Sequence, residues 1–210
     1  MNRHRWRRWR RETFVQPLKL LIGRLRGRQF PGRKTVFIIG QNKTGTTSVA
    51  QAFRDLGTNH LTIMRTPGRL FHQRDWEGLA RLASRYDSLD DQPWNQVEVV
   101  ARMHAAFGDR AVFVLNTRAP QAWFDSYVRF RHHSGKPLQL QPGESETDFI
   151  KRRLLDRNQR IRDLFAAHPE RLFEGDITDP DFMERLRAAT GYPELGALPH
   201  VNQTPRPVQS

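Results

Sequence analysis

Residues 36–53, VFIIGQNKTGTTSVAQAF, gather one ammonium group and four hydroxyls into a short stretch: Lys43, Thr44, Thr46, Thr47 and Ser48. The apolar run Val36–Ile39 predicts a strand that ends at Gly40. The segment from Ser48 predicts a helix with Val49, Ala52, Phe53 and Leu56 on one face, stopped by Gly57. Strand, glycine-bearing loop and helix is the layout in which backbone N–H groups at a helix start cradle a phosphate. Gly40 and Gly45 keep the spacing of the nucleotide-triphosphate loop G-x-x-x-x-G-K-[ST], but Thr46 stands at the lysine position and the cation has moved ahead of the second glycine, to Lys43. Such a loop suits a phosphate ester bound with little help from a metal.

Two further groups carry chemistry-bearing residues. Ala111–Leu115 is a continuous apolar run, the mark of a strand buried on both faces of a parallel sheet, and it leads into Asn116, Thr117 and Arg118. Pro120 then opens a helix at the position proline tolerates best, and Ser126 follows on it. A planar guanidinium at a strand end suits bidentate phosphate binding. The second group is the acidic segment YDSLDDQPW, with Asp87, Asp90 and Asp91 before Pro93. Asp91 is the first candidate for a general base, and Asp before Gln–Pro is also ordinary turn chemistry. Asp87, Asp90, His60, His72 and His104 are the further base candidates, and His132–His133 fall in a segment read as loop. No cluster has metal-ligand spacing of the H-E-x-x-H kind.

The elements that must position these groups alternate. Residues 61–64 predict a second short strand and residues 65–75 a loop punctuated by Pro67–Gly68. Helices are predicted near 76–86, 95–109, 120–131 and 145–168, the last opened by an S-x-x-D cap at Ser145 and buried through Leu154, Ile161, Leu164 and Phe165. Residues 132–143 predict a mobile loop, 171–176 a last strand, and the segment after Asp179 a last helix. Alternating strands and helices imply an α/β fold with a mostly parallel central sheet flanked by helices in three layers. Ligands in such folds bind beyond the carboxyl ends of the strands, which would place the 40–48 loop, Arg118 and the Asp87–Asp91 segment on one edge.

The charge of +13 over 210 residues is concentrated at one end. Residues 1–34 hold twelve Lys or Arg against the single acid Glu12, leaving 23 basic and 21 acidic residues in the remainder. The body is therefore close to neutral. The chain divides into a basic segment 1–34, read as a disordered or membrane-peripheral tail, and a domain over 35–205. Trp6 and Trp9 interleave the arginines, and Leu18, Leu21, Ile22 and Leu25 follow at helical spacing, a pattern that fits an anionic membrane surface better than nucleic acid. There is no cysteine, and no apolar run approaches the ~20 residues of a bilayer span. A cytoplasmic or membrane-peripheral location is expected.

The stretch K-T-G-T-T at 43–47 resembles the 5′-phosphosulfate loop of the sulfotransferases that use 3′-phosphoadenosine 5′-phosphosulfate (PAPS). The strand end at Arg118 with Ser126 eight residues on is similar to that family's 3′-phosphate site. Asp91-Gln92-Pro93 resembles a D-x-P signature of bacterial-type members, and 199–204 resembles their terminal P-H-x-N-x-T stretch, pointing to Asn202 and Thr204. The resemblance implies a P-loop-type fold over residues 35–205 and transfer of a sulfuryl group from PAPS to a hydroxyl or amine. It makes Lys43 the catalytic cation and Asp91 the base; Lys43, Thr44, Gly45, Thr46, Thr47 and Ser48 hold the phosphosulfate and Arg118 and Ser126 the 3′-phosphate, with no metal. The acceptor is left open, with an anionic carbohydrate suggested by Arg65, Arg69, Arg74 and Lys136. Two other readings stand beside it: a Mg-ATP-dependent kinase on the same fold, and a basic protein that binds nucleic acid or acidic glycans.

Overall fold

The computed structural model describes residues 16–62, 65–199 and 201. Its centre is a five-stranded, all-parallel sheet in the order β2-β3-β1-β4-β5, formed by β1 (Thr35–Ile38), β2 (His60–Leu61), β3 (Ser88–Asp90), β4 (Ala111–Thr117) and β5 (Leu172–Asp176). All four residues of β1 and the first six of β4 are buried, because helices cover both faces. Side chains alternate across the pleat. Phe37, Ile39, Leu89, Phe113 and Leu115 pack into one core beneath α4 (Trp76–Ala83), α5 (Val97–Phe107) and α8 (Asp156–Leu164). Val36, Ile38, Val112, Val114 and Phe173 face the other core, closed by α2 (Thr46–Asp55) and α9 (Phe182–Thr190). The result is the three-layer arrangement that the alternation of elements predicts.

Several boundaries differ from the sequence-based expectation, each for a physical reason. Residues 65–75 are not a loop: α3 spans Arg65–His72. Pro67 is the third residue of that helix, within the first turn, where its missing N–H has no intrahelical partner to lose. The second strand is shorter than predicted, and residues 63 and 64 lie outside the described residues. His132 and His133 belong to the last turn of α6 (Pro120–His133) rather than to a loop, a place where basic side chains complement the helix dipole. The long helix predicted after Ser145 is continuous but not uniform. Ser145 Oγ accepts from the Asp148 N–H to open α7 (Glu146–Ile150), and a π-helical turn, Lys151–Leu155, separates it from α8.

The basic segment also differs from a detached tail where it is described. Helix α1 (Gln16–Arg26) lies against the amino edge of the sheet through Leu20 and Gly23, and Asn59 Nδ2 donates to the carbonyls of Gly23 and Gly27 at 2.8 Å each. Residues 1–15, including the Trp6–Trp9 pattern, lie outside the described residues, as do Asn202 and Thr204.

Candidate active site at the carboxyl edge of the sheet

The loop between β1 and α2 is held from several sides. Thr44 is buried; its N–H and hydroxyl both donate to the Gln41 carbonyl, at 3.1 and 2.6 Å. Asn116 Nδ2, at the end of the neighbouring strand β4, donates to Thr44 O (2.8 Å) and Oγ1 (3.0 Å). Trp123 Nε1 donates to Asn42 O, and Gln41 Nε2 reaches the Arg153 carbonyl in the π-helical turn. Both glycines are sterically required. A Cβ on Gly40 would lie 2.2 Å from Asn116 Oδ1, and one on Gly45 would lie 2.4 Å from Ile177 Cδ1 at a φ of +94°.

These ties fix a shape with consequences for charge. Gly45 caps α2, and the N–H groups of Thr46 and Thr47 at the start of that helix donate to no acceptor among the described residues. Ser48 donates back to Gly45 O. Lys43 has a positive φ of 75°, a conformation that costs a residue with a Cβ ~1 kcal/mol or more and clusters at ligand clamps. Its ammonium lies 4.9 Å from the centre of the Phe130 ring on α6. Arg118 Nη1 donates to the Lys43 carbonyl at 3.2 Å. Burial, and after it the charges of Arg118 and Arg129, pull the Lys43 ammonium below its ordinary value. Among the described residues, neither Arg118 nor Arg129 pairs with a carboxylate. Ser126 is 6 % exposed and stands one turn before Phe130 on the same face of α6. The structure thus joins Lys43 to Arg118 directly, while Ser126 shares the helix face that covers Lys43.

Asp91 lies on the same edge. The register pairs Ile38 with Asp90, so Asp90 and Asp91 leave β3 at the level where β1 enters the loop. Asp91 also has a positive φ, 62°, and Lys43, Arg74 and Asp91 are the non-glycine residues so strained among those described. Burial pushes the Asp91 carboxyl above its usual range and the Asp90 charge adds to this, against the N–H of Gln92, which donates to Asp91 Oδ1 at 2.8 Å. Asp90 is committed elsewhere. His60 Nε2 lies 3.0 Å from its Oδ1, and His60 Nδ1 lies 2.8 Å from Ser88 Oγ, which in turn meets Thr58 Oγ1 at 3.1 Å. Burial would raise the Asp90 carboxyl, but hydrogen bonds from His60 and Thr62, with the charges of His60 and Arg54, hold it below the usual range.

Asp87 does not belong to this edge. It precedes β3, at the amino end of the sheet, and its fully buried carboxylate accepts from the N–H groups of Gln29, Phe30 and Asn59 and pairs with Arg28. The expectation that Asp87–Asp91 lie together fails because a strand separates Asp87 from Asp91. His104 is likewise remote: it packs on Phe165 and Phe113 in the core beneath α5. His72 ends α3 in an exposed position.

Arg157 is a site residue that the sequence reading missed. One of its Nη atoms donates to the carbonyls of Ile39 (2.5 Å) and Asn95 (2.7 Å), and Asn95 N donates to Asp91 O. The guanidinium therefore ties the entry of the phosphate-type loop to the Asp91 turn. It makes no ion pair among the described residues, and burial, with the charge of Arg153, pulls its pKa down to about 10. A cation beside the buried stripe Leu154, Asn158, Ile161 and Phe165 was the available signal. Asn116, Trp123 and Arg129 were not singled out either, since nothing in their local sequence separates them from ordinary strand and helix residues.

This arrangement offers free helix-start amides, a strained lysine and uncompensated arginines on one side, and a carboxyl of raised pKa on the other. Open N–H groups at a helix start beside cations are features that favour an anion, and Asp91 leaves the sheet at the same edge. Among the described residues no group of three or more His, Cys, Asp or Glu side chains is placed to hold a metal ion, and no helix is long and apolar enough to cross a membrane. No curated protein matches the chain. Residues 35–192, from the first residue of β1 to just beyond α9, match the family model described as a sulfotransferase domain, and the chain belongs to that family.

Proposed function

We propose that this protein transfers a sulfuryl group from PAPS to a hydroxyl or amine of an acceptor. The observation that carries the reading is the cation and amide cluster around Lys43, where Arg118 and Arg129 lie close with no carboxylate among the described residues to pair with either. Those donors fit a ligand with phosphate-type groups at two places. The free N–H groups at the start of α2 with Thr46, Thr47 and Ser48 hold the 5′-phosphosulfate, and Arg118 with Ser126 on the α6 face holds the 3′-phosphate.

When bound, PAPS supplies the activated sulfuryl group. Asp91 takes the proton of the acceptor hydroxyl as its oxygen bonds to sulfur and the bond from sulfur to the phosphate oxygen breaks. A carboxyl of raised pKa is closer to a useful base at neutral pH than an ordinary one. Lys43 and the α2 amides face the oxygen on which charge develops, and their positions are set in advance by Asn116, Trp123 and Gln41. Arg157 keeps the two halves in register. Less negative charge moves with a sulfuryl than with a phosphoryl group, so fewer cations are required.

The acceptor side is read as favouring an anionic carbohydrate. Arg65 and Arg69 on α3, which follows the carboxyl end of β2, and Arg74 and Lys136 are exposed.

The test is acceptor-dependent release of 3′-phosphoadenosine 5′-phosphate from PAPS, measured with a panel of carbohydrates. Lys43→Ala and Arg118→Ala should each cut release by about 10³-fold, with little change in melting temperature. Normal release by either variant overturns the assignment. One feature favours a second reading as a kinase: the strand beside β1 ends in acids, as in enzymes that hold Mg²⁺ there. Phosphoryl transfer from Mg-ATP, with none from PAPS, would establish it.

A further inference from the structure

Helix α1 is apolar on two sides. One side is used: Leu20 is 8 % exposed, and Gly23 fits so closely that an added Cβ would lie 2.7 Å from Tyr86 Oη. Arg26 fixes the end of the helix by donating to Gly57 O at 2.7 Å. The other side carries Leu18, Leu21, Ile22 and Leu25 at the i, i+3, i+4, i+7 spacing, 52 to 79 % exposed. Together they are the main exposed apolar row of the described surface; Phe130, Leu140 and Leu155 are scattered. Single exposed leucines need no explanation, but four in one stripe on a helix pinned by its opposite face do.

The sequence immediately before this helix supplies the partner's chemistry. Residues 1–11 contain six arginines and two tryptophans and no acid. Arginines that attract an anionic surface, tryptophans suited to a membrane–water interface and an aliphatic stripe able to enter it are the parts of an interfacial anchor. A second copy of the chain fits less well, since it would bring an equally basic segment against this one. Nucleic acid would satisfy the arginines and leave the aliphatic stripe exposed.

We propose that α1 docks the protein on an anionic lipid surface, with Leu18, Leu21, Ile22 and Leu25 inserted and the basic composition of the preceding sequence favouring anionic lipid. Because α1 packs against Asn59 and Tyr86 at the amino edge of the sheet, Lys43 and Asp91 at the carboxyl edge stay clear of the membrane.

The experiment is co-sedimentation of the full chain with vesicles of phosphatidylcholine alone or with about 30 % phosphatidylserine, near physiological salt. The wild type should partition at least about tenfold better onto the anionic vesicles. Replacing all four aliphatic residues by Gln should lower that partition by about tenfold or more, with thermal unfolding and turnover of a soluble acceptor unchanged. Replacing Arg3, Arg5, Arg7, Arg8, Arg10 and Arg11 by Gln should remove the preference for anionic vesicles. Failure to bind either vesicle, or equal binding by the four-Gln variant, overturns the proposal. So does a concentration-dependent dimer that the four-Gln variant abolishes, which would make a second copy the occupant. Displacement by duplex RNA that is insensitive to the aliphatic replacements would assign the segment to nucleic acid instead.

Discussion

The two edges of the sheet gather the same kinds of donor and differ in who supplies the anion. At the amino edge three backbone N–H groups and Arg28 converge on the buried carboxylate of Asp87, so the charge is satisfied within the chain. At the carboxyl edge the α2 amides, Lys43 and Arg118 gather at the loop, and no described carboxylate forms an ion pair with Arg118. The first arrangement is a structural knot that ties residues 28–30 and 59 to β3. The second gathers comparable donors without an ion-paired carboxylate among the described residues, and in the proposed function a ligand supplies the anion. Position in the sheet, rather than residue type, separates Asp87, whose carboxylate holds the fold together, from Asp91, the base of the proposed function.

That contrast is broken most severely at the ligand edge. Lys43→Ala should reduce turnover by about 10³-fold, in the range of removing an oriented electrostatic stabiliser, with little change in stability. Steady-state kinetics beside a thermal melt checks both halves. At the amino edge the effect should appear in the opposite column. Asp87→Ala strands three amides and a guanidinium, and should destabilise by about 3 kcal/mol or more, measured by denaturant unfolding, while the affinity for the donor stays unchanged in the folded fraction. The same reasoning says that a truncation removing residues 1–15 leaves this knot intact, whereas one that removes residues 28–30 takes it apart.

The Asp91 turn sharpens the comparison through pH. With a carboxyl pKa above the ordinary value, the folded state retains a proton that the unfolded state has already released. Stability therefore falls as pH rises from the ordinary carboxylate value through the raised one, while turnover, which in the proposed mechanism needs Asp91 ionised, should rise over the same window. Asp91→Asn should lower turnover by about 10²-fold, erase that acidic limb, and raise the melting temperature slightly at neutral pH. Asn suits the backbone here, since it tolerates positive φ. A variant whose acidic limb survives would move the base role to another group.

Much of the site was legible because its signals are local. Gly40, Lys43 and Gly45 sit at a spacing that suits a strand–loop–helix turn, and Arg118 follows a short, β-branched and aromatic apolar run of the length of a buried strand. The three-layer fold was legible for the same reason. What escaped depends on register and on distant contacts. Three acids within five residues cannot be sorted between two edges until the pairing of Ile38 with Asp90 is known. Arg157 is separated from Ile39 by 118 positions, and only the packing of α8 and the π-helical turn brings it to the loop. Pro67 and Gly68 read as a turn because their local preference is strong, yet in the first turn of α3 that preference is not opposed.

The most direct test of the central claim, that the carboxyl edge awaits an anion with two phosphate-type groups, is the thermal stability of the protein with 3′-phosphoadenosine 5′-phosphate. At about 100 times its dissociation constant the ligand should stabilise the fold by about 2.7 kcal/mol, with or without Mg²⁺, and the shift should vanish in Arg118→Ala. A shift with Mg-ATP and none with the bisphosphate, or a shift that Arg118→Ala leaves intact, would contradict the account.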